Sequence, residues 1–186
     1  MAFIETISPE NAEGELLEIY ESVIKSRGQV AEVLMLHSLS PASLTNHLDL
    51  YMTLMFAKSP LKRKIREMIA VVVSKANNCD YCQVHHAEAL NNFWKDDERI
   101  RRLREDYHQA DLDEKELVLA DHAWHMTRDP SYASQQIIDN IKNAGWSDRA
   151  ILDATMIISY FNFVNRMVLG LGANLESHQG KGFEYD

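Results

Sequence analysis

Apolar residues recur along this chain at intervals of three and four, the spacing that gathers side chains on one face of an α-helix. The clearest stripe is made of Ile65, Met68, Ile69, Val72, Val73 and Ala76. No alternating run of β-branched residues predicts a strand, and glycine (7) and proline (4) are scarce for a turn-rich β-fold. We therefore predict an all-α fold, in a single domain over residues 1–186 because no linker or composition shift divides the chain.

Capping residues divide this pattern into seven or eight helices. Each of the four prolines follows a serine or an aspartate, as in Ser40-Pro41 and Asp129-Pro130, which is typical of a helix start. Asp113 and Glu116 have the spacing of a capping box. The polar segment 172–186 is predicted to be an extended tail or an oligomer arm. The predicted helices span residues 9–26, 41–57, 60–76, 79–94, 96–105, 113–127, 131–143 and 148–169.

Net charge and the first residues of the chain bear on its partners and location. A net charge of −9 argues against a nucleic-acid partner, because a phosphate-binding surface needs an excess of Lys and Arg. Residues 1–5 have neither the basic region nor the apolar run of a secretory signal. No segment approaches the roughly 18 uninterrupted apolar residues of a membrane span. We therefore expect a cytoplasmic protein with no membrane partner.

The two cysteines of the chain, Cys79 and Cys82, are separated by two residues and followed by His85 and His86. In the first turn of a helix, two such sulfurs can meet and cycle between dithiol and disulfide. His86 lies four residues after Cys82 on the same helical face, where its imidazole can exchange a proton with the thiol. The helix N-terminus favours the thiolate of Cys79, whereas Cys82 has the histidine. The residues alone therefore leave open which sulfur attacks first.

A carboxylate upstream is a candidate third member of this site. Glu67 lies near the border of the apolar stripe in the predicted helix 60–76, where it could be an ordinary surface residue. If this helix packs against the helix that carries the cysteines, Glu67 can instead orient His86 and stabilise its protonated form.

A metal site and a redox-sensing scaffold are alternatives to an enzyme. Cys79, Cys82 and His86 could bind zinc, but a structural zinc site needs four ligands, and the fourth would have to be Glu67, His85 or a distant histidine. In a redox-sensing scaffold, the assembly of an oligomer would depend on a disulfide between the two cysteines. In a reducing cytosol, a C-x-x-C pair is more often catalytic or metal-binding than a structural disulfide.

Three polar residues interrupt the apolar helix predicted near the C-terminus. They are Asn162, Asn165 and Arg166. Buried polar groups need hydrogen-bond partners, so these residues form an internal network, a subunit contact or the wall of a pocket. We favour the internal network.

The segment from Arg66 to His86 resembles the core motif of the AhpD-like alkylhydroperoxidases, a branch of the carboxymuconolactone decarboxylase superfamily. That motif has a glutamate twelve residues before the first cysteine, a C-x-x-C pair, and a histidine four residues after the second cysteine. The four positions are occupied here by Glu67, Cys79, Cys82 and His86. The segment from Phe161 to Gly172 also resembles the closing helix of the peroxidase-related subgroup.

The resemblance implies an AhpD-like multi-helix fold that forms trimers or hexamers and reduces peroxides. Cys82 would give its proton to His86, which is linked to Glu67 through water, and would then attack the peroxide. Cys79 would condense with the resulting sulfenic acid to form the 79–82 disulfide, and an external dithiol or a protein reductant would reduce it. No nucleotide or flavin motif is present, which indicates that the electrons come from a partner protein or a small dithiol. We expect neither a resident cofactor nor a metal. A decarboxylase-like enzyme is an alternative, but that branch does not rely on a C-x-x-C pair.

The chain departs from the best-known member of that family at one position. That member has a histidine directly before the second cysteine, where this chain has Tyr81. A phenol donates a hydrogen bond but is a poor proton acceptor near neutral pH, because its unperturbed pKa is about 10. The proton relay could therefore be rerouted through His85. The resemblance also leaves room for Arg166 near the site, so these three residues are possible auxiliary members.

Overall fold

The computed structural model describes residues 2–177 and 180–183, and the regular structure in this part of the chain is entirely helical. The prediction of an all-α fold is confirmed. None of the described helices is long and apolar enough to cross a membrane. The α-helices are α1 (Gly14–Arg27), α2 (Glu32–Met35), α3 (Pro41–Phe56), α4 (Arg63–Ala76), α5 (Asp80–Trp94), α6 (Asp97–Glu105), α7 (Glu114–Arg128), α8 (Gln135–Asn143) and α9 (Asp148–Leu171).

Of the four prolines, one begins an α-helix as predicted. At the other three, the prediction placed the start of the α-helix too early. Pro41 begins α3 as predicted, whereas Pro9 and Pro130 begin short 3-10 helices, and α1 and α8 start several residues later. Proline at a first helical position suits either kind of helix, because neither uses its missing N–H. Pro60 lies in the turn before α4, where the Ser59 hydroxyl donates to a carboxylate on α9 instead of capping a helix.

Helix α4 is the centre of the fold and packs against α5, α7 and α9. Most of its side chains are buried, and two of these, Arg66 and Glu67, are charged. Arg66 donates hydrogen bonds to the backbone carbonyls of Leu54, Ala57 and Leu61, at the end of α3 and in the turn that follows. Its charge is therefore fully hydrogen-bonded, and carbonyls left without partners by the end of α3 are satisfied.

The turn between α4 and α5 places the first cysteine at the start of α5. Asn78 has a left-handed backbone (φ 57°), which asparagine tolerates better than most residues. Its N–H donates to the carbonyl of Lys75 (3.0 Å), and the N–H of Cys79 donates to that of Ser74 (2.9 Å). These are the two bonds of a Schellman motif. The tight reversal folds α5 back along α4, so that the helix of Glu67 faces the helix of the cysteines.

An internal network of polar side chains ties this turn to α9, as the sequence predicts. Asn77 donates to the side-chain oxygens of both Asn162 and Asn165 (3.0 Å each). Asn165 in turn donates to Ser74 (3.2 Å), and Asn162 donates to Thr127 on α7 (3.0 Å). Each of these buried or partly buried amides therefore has partners, which fixes α9 against the start of α5.

The chain beyond α9 returns towards α2 and α5. Gly172 ends α9 with a positive φ of 77°, and a Cβ there would lie 2.7 Å from the ring of Phe3, so the turn requires glycine. The following residues contact α2 and α5 instead of extending away as a tail or an oligomer arm. Residues 178–179 and 184–186 of the predicted tail lie outside the described residues.

Candidate active site

The sulfurs of Cys79 and Cys82 lie 2.7 Å apart as free, buried thiols. A disulfide has an S–S distance of about 2.05 Å, so only a small movement separates this pair from the oxidised form. Cys79 is the N-cap residue of α5, and Cys82 lies in the first turn. The C-x-x-C pair is therefore at a helix N-terminus, as the sequence predicts.

Cys82 lines a cavity between the α1–α2 loop, α3, α5, α9 and the returning tail, whereas Cys79 does not reach it. His85 and His86 line the same cavity, together with Arg27 and Gln29 from α1 and the loop after it. The remaining walls are mainly aliphatic and aromatic, and include Val33, Leu34, Leu48, Tyr160, Phe161 and Val164. An apolar cavity that ends on a thiol suits a ligand with an apolar body and one reactive group.

The pKa shifts favour Cys79 as the thiolate, whereas access from the cavity favours Cys82 as the sulfur that meets a ligand. The hydrogen bond between the two thiols lowers the pKa of Cys79 and raises that of Cys82 well above its usual value, and burial raises the Cys82 pKa further. The Cys82 N–H at the start of α5 also lowers the pKa of Cys79. A ligand in the cavity, however, meets Cys82 and not Cys79. A thiolate on Cys82 therefore requires a nearby base.

Glu67 contacts His86, which lines the same cavity as Cys82. Its side chain is fully buried, its Oε2 is 2.7 Å from Nδ1 of His86, and its Oε1 accepts from Nε of Arg63 at 2.7 Å. Burial raises the pKa of Glu67, but His86 and Arg63 together lower it below its usual value. The carboxylate contacts the imidazole directly, whereas the resemblance implies a link through water. Because Nδ1 is bonded to Glu67, Nε2 is the nitrogen of His86 that can accept a proton from a thiol.

A second glutamate, which the sequence analysis missed, bonds the other histidine. Oε2 of Glu176 is 2.8 Å from Nε2 of His85, and Oε1 accepts from the hydroxyl of Tyr81 (2.9 Å) and the N–H of Glu32 (3.0 Å). Burial and the carboxylate of Glu176 raise the pKa of Tyr81 well above its usual value. The phenol also accepts from the N–H of Val33 (3.2 Å), so its bonds run to α2 and the tail.

Of the predicted site residues, the structure brings six together and leaves one outside. Arg166 does not line the cavity; it donates to the backbone and side-chain oxygens of Asn162 on an exposed part of α9. Arg63 was also missed, although its i, i+4 spacing from Glu67 is a readable signal. The six neighbouring residues are Glu67, Cys79, Tyr81, Cys82, His85 and His86.

Within residues 2–177 and 180–183, no group of three or more His, Cys, Asp or Glu side chains is arranged to hold a metal ion. For the zinc site considered above, two sulfurs are adjacent, but the third and fourth ligands are not grouped with them.

Residues 42–109 match the model of the carboxymuconolactone decarboxylase family. Among solved structures, the chain is similar to an uncharacterized peroxidase-related protein from Silicibacter sp. TM1040. The sequence identity is 29%, the alignment covers 91% of this chain and 89% of that chain, and the TM-score is 0.84. No curated protein matches the chain significantly.

Two further structures share the fold at lower identity. An uncharacterized peroxidase-related protein with an alkylhydroperoxidase AhpD core, from Ralstonia eutropha JMP134, is 21% identical, with 96% of this chain and 94% of that chain covered and a TM-score of 0.88. The debrominase Bmp8 in complex with 2,3,4-tribromopyrrole is 15% identical, with 95% of each chain covered and a TM-score of 0.77. The AhpD-like fold predicted from the sequence is confirmed.

Proposed function

Because this chain belongs to the AhpD-like branch of the carboxymuconolactone decarboxylase superfamily, we propose that it is a cysteine-dependent peroxidase acting on hydrogen or alkyl hydroperoxides. The observation that carries the proposal is one arrangement of side chains. A pair of touching thiols lies at a helix N-terminus, and the thiol that faces an apolar cavity has a carboxylate-bound histidine on the same helix.

Cys82 is the attacking sulfur in this proposal, because it faces the cavity. Its high pKa is overcome when Nε2 of His86 accepts the thiol proton, since Glu67 stabilises the imidazolium that forms. His86 and, to a smaller extent, Arg63 keep Glu67 ionised despite its burial. The thiolate then attacks the terminal peroxide oxygen, the O–O bond breaks, and Cys82 becomes a sulfenic acid.

Cys79, which is buried and does not line the cavity, completes the catalytic cycle. Its sulfur attacks the sulfenic acid of Cys82, a disulfide forms, and water leaves. The two electrons that reduced the peroxide have then come from the two thiols. An external dithiol or a reductant protein must return them. Because Cys79 is fully buried, the first oxidant it meets is the sulfenic acid and not the peroxide.

Assembly into a homo-oligomer, a trimer or a hexamer, belongs to the same proposal. Three of the four exposed large apolar side chains of helix α9 are at i, i+4 and i+11, which lie on one face of the helix. They are Leu152, Met156 and Phe163. Contiguous exposed apolar surface on a helix is typical of a protein contact. Size measurement with and without reductant separates a constitutive oligomer from a redox-sensing scaffold.

The first experiment is one turnover of the reduced, metal-free protein with one equivalent of cumene hydroperoxide. Remaining thiols are alkylated, and the intact mass is measured. We expect a loss of about two daltons and two thiols that resist alkylation, which together mark one disulfide. No reaction over minutes, with stoichiometric zinc in the protein as purified, would replace the peroxidase by a zinc-binding module.

Serine variants assign the two sulfurs. Cys82→Ser is expected to abolish peroxide consumption, because the remaining thiol does not reach the cavity. Cys79→Ser is expected to keep the first step and accumulate a sulfenic acid, detected by mass or by a sulfenic-acid trap. If Cys79→Ser alone lost the first step, the lowered pKa of Cys79 would outweigh its lack of access, and the two roles would be reversed.

A further inference from the structure

Two consecutive residues of α5, His85 and His86, line the same cavity, and each imidazole is bonded to a glutamate. Successive residues of a helix point about 100° apart, so the two rings approach the cavity from different sides. The reaction proposed above uses one of them, since His86 takes the proton of Cys82. It does not assign the proton that the departing oxygen needs when the O–O bond breaks.

We propose that His85 is the acid that protonates the leaving oxygen of the peroxide, and that Glu176 and Tyr81 position it. The inference rests on the peroxidase function proposed above. As the Cys82 thiolate attacks the terminal oxygen, sulfur loses two electrons and keeps that oxygen as a sulfenic acid. The other oxygen leaves as an alkoxide and takes the proton of the His85 imidazolium. Solvent then reprotonates His85 and removes the proton that His86 gained.

The two oxygens of Glu176 have different partners. Oε1 accepts from Tyr81 and from the N–H of Glu32, which fasten the tail to α5 and α2. Oε2 bonds the imidazole of His85 (2.8 Å). The bonds of Oε1 alone would satisfy a carboxylate whose role was to hold the tail. The bond of Oε2 fixes the orientation and tautomer of a histidine that lines the cavity, as carboxylates do in acid–base pairs.

The ring of His85 is held between two aromatic side chains. Its centroid is 4.5 Å from that of Tyr81 and 5.1 Å from that of Phe183 in the tail. Because Nε2 is bonded to Glu176, Nδ1 is the nitrogen that can release a proton to a ligand. The tail passes this nitrogen at Gly180, where a Cβ would come within 3.5 Å of it. Glycine therefore leaves this edge of the ring uncovered by a side chain at that position.

The carboxylate that bonds His85 is ionised. Burial raises the pKa of Glu176, but the hydrogen bonds from His85 and from the backbone of Glu32 lower it to about 2, so this carboxylate is ionised at neutral pH. An ionised carboxylate accepts the N–H of the ring nitrogen that it contacts and so fixes the orientation of the imidazole. The other titratable or charged residues that line the cavity are Arg27, His47, Tyr51, Tyr81, Cys82, His86 and Tyr160.

The test compares two peroxides whose leaving groups differ in basicity. tert-Butyl hydroperoxide releases a strongly basic alkoxide that needs a proton, whereas peracetic acid releases acetate, which does not. Single-turnover rate constants for sulfenic acid formation are measured for the wild type, Glu176→Gln and His85→Gln. The matched control is Glu67→Gln, which alters the other histidine–glutamate pair. Thermal unfolding of each variant checks that it is folded.

We expect Glu176→Gln and His85→Gln to slow the reaction with tert-butyl hydroperoxide by about 10²-fold and to leave that with peracetic acid within about twofold. Glu67→Gln is expected to slow both reactions equally, because it acts on the thiol. Equal slowing of both peroxides by Glu176→Gln, or no slowing of either, would overturn the role of His85 and leave the peroxidase intact. A wild type that reacts with neither peroxide would overturn the proposed function and this inference with it.

Discussion

The cavity has two histidine–glutamate pairs that look alike in distance and differ in construction. His86 contacts Glu67 at 2.7 Å, and His85 contacts Glu176 at 2.8 Å. Glu67 belongs to the central helix α4, is fully buried, and is held on its other side by Arg63. Glu176 belongs to the tail beyond α9, and 13% of its side chain remains exposed.

The difference predicts how each pair depends on the rest of the fold. The pair of His86 and Glu67 is part of the packing between α4 and α5, so disturbing it should cost stability as well as activity. The pair of His85 and Glu176 is completed by a segment that docks on the surface of the helices. Its removal should change reactivity while the helices remain folded. The predictions below test this contrast, from the largest expected effect to the smallest.

Glu67→Gln should have the largest effect. The loss of the carboxylate that supports the His86 imidazolium raises the apparent pKa of the reactive thiol and slows reaction with any peroxide by about 10²-fold. Gln also leaves Arg63 without its ionic partner, and the free energy of unfolding should fall by roughly 1–3 kcal/mol. The pH profile of thiol alkylation measures the first effect, and urea unfolding measures the second. An unchanged alkylation profile would remove Glu67 from the relay.

Arg63→Gln should weaken the same pair with a pH-dependent loss of stability. His86 and Arg63 lower the pKa of Glu67, so this carboxylate stabilises the fold above its unfolded-state pKa, and that stability is lost as the pH falls through the folded-state pKa. Without Arg63 the pKa of Glu67 rises, and less stability depends on its ionisation. We expect the variant to be about 1–2 kcal/mol less stable near neutral pH.

Urea unfolding of wild type and Arg63→Gln from about pH 7 down to about pH 2, which passes below the usual pKa of a glutamate, measures this dependence. The difference between the two proteins should shrink towards acid, as Glu67 becomes protonated in both. A difference that stays constant across this range would mean that Arg63 contributes through packing over Phe56 and not through the charge of Glu67.

Most of the first pair could be predicted from the sequence because it depends on local register. The apolar stripe places Glu67 in a helix, and the short turn after that helix sets it against the residues that follow, including Cys82 and His86. The direct bond from Glu67 to the imidazole could not be predicted, because a water-linked and a direct contact have the same spacing in sequence. Its support by Arg63 was readable from the i, i+4 spacing.

The second pair could not be predicted, for a physical reason. Glu176 lies 91 residues from His85, in a polar segment with no helical periodicity that would indicate which way its side chain points. Such a segment reads as a tail, and its return depends on the turn at Gly172 and on contacts with α2 and α5. Arg166 shows that a correctly predicted helix does not by itself reveal what a side chain contacts. It lies in a helix that was predicted correctly, yet its side chain bonds Asn162 and does not enter the cavity.

Deletion of residues 176–186 tests whether the second pair is separable from the fold. The deletion removes Glu176 and keeps Leu175, which packs against the core. We expect the free energy of unfolding to fall by about 1–2 kcal/mol, for the lost hydrogen bonds of the tail. The reaction with tert-butyl hydroperoxide should slow as it does in Glu176→Gln. A deletion variant that does not fold would show that the tail is part of the core, and the contrast between the two pairs would then fail.

Tyr81→Phe should have the smallest effect and is the sharpest test of independence. Tyr81 lies between the two cysteines in sequence and bonds Glu176, so it connects the thiol site to the pair of His85 and Glu176. Phe keeps the ring beside His85 and removes the hydroxyl, which costs about 1 kcal/mol because the N–H of Val33 also loses its acceptor. The bond between Glu176 and His85 does not involve the hydroxyl. Selectivity between the two peroxides should therefore change less than in Glu176→Gln, and the pH profile of thiol alkylation should stay that of the wild type. If Tyr81→Phe shifted that profile as far as Glu67→Gln does, the two pairs would form one coupled network. The thiol and the leaving oxygen would then exchange protons with the same set of residues.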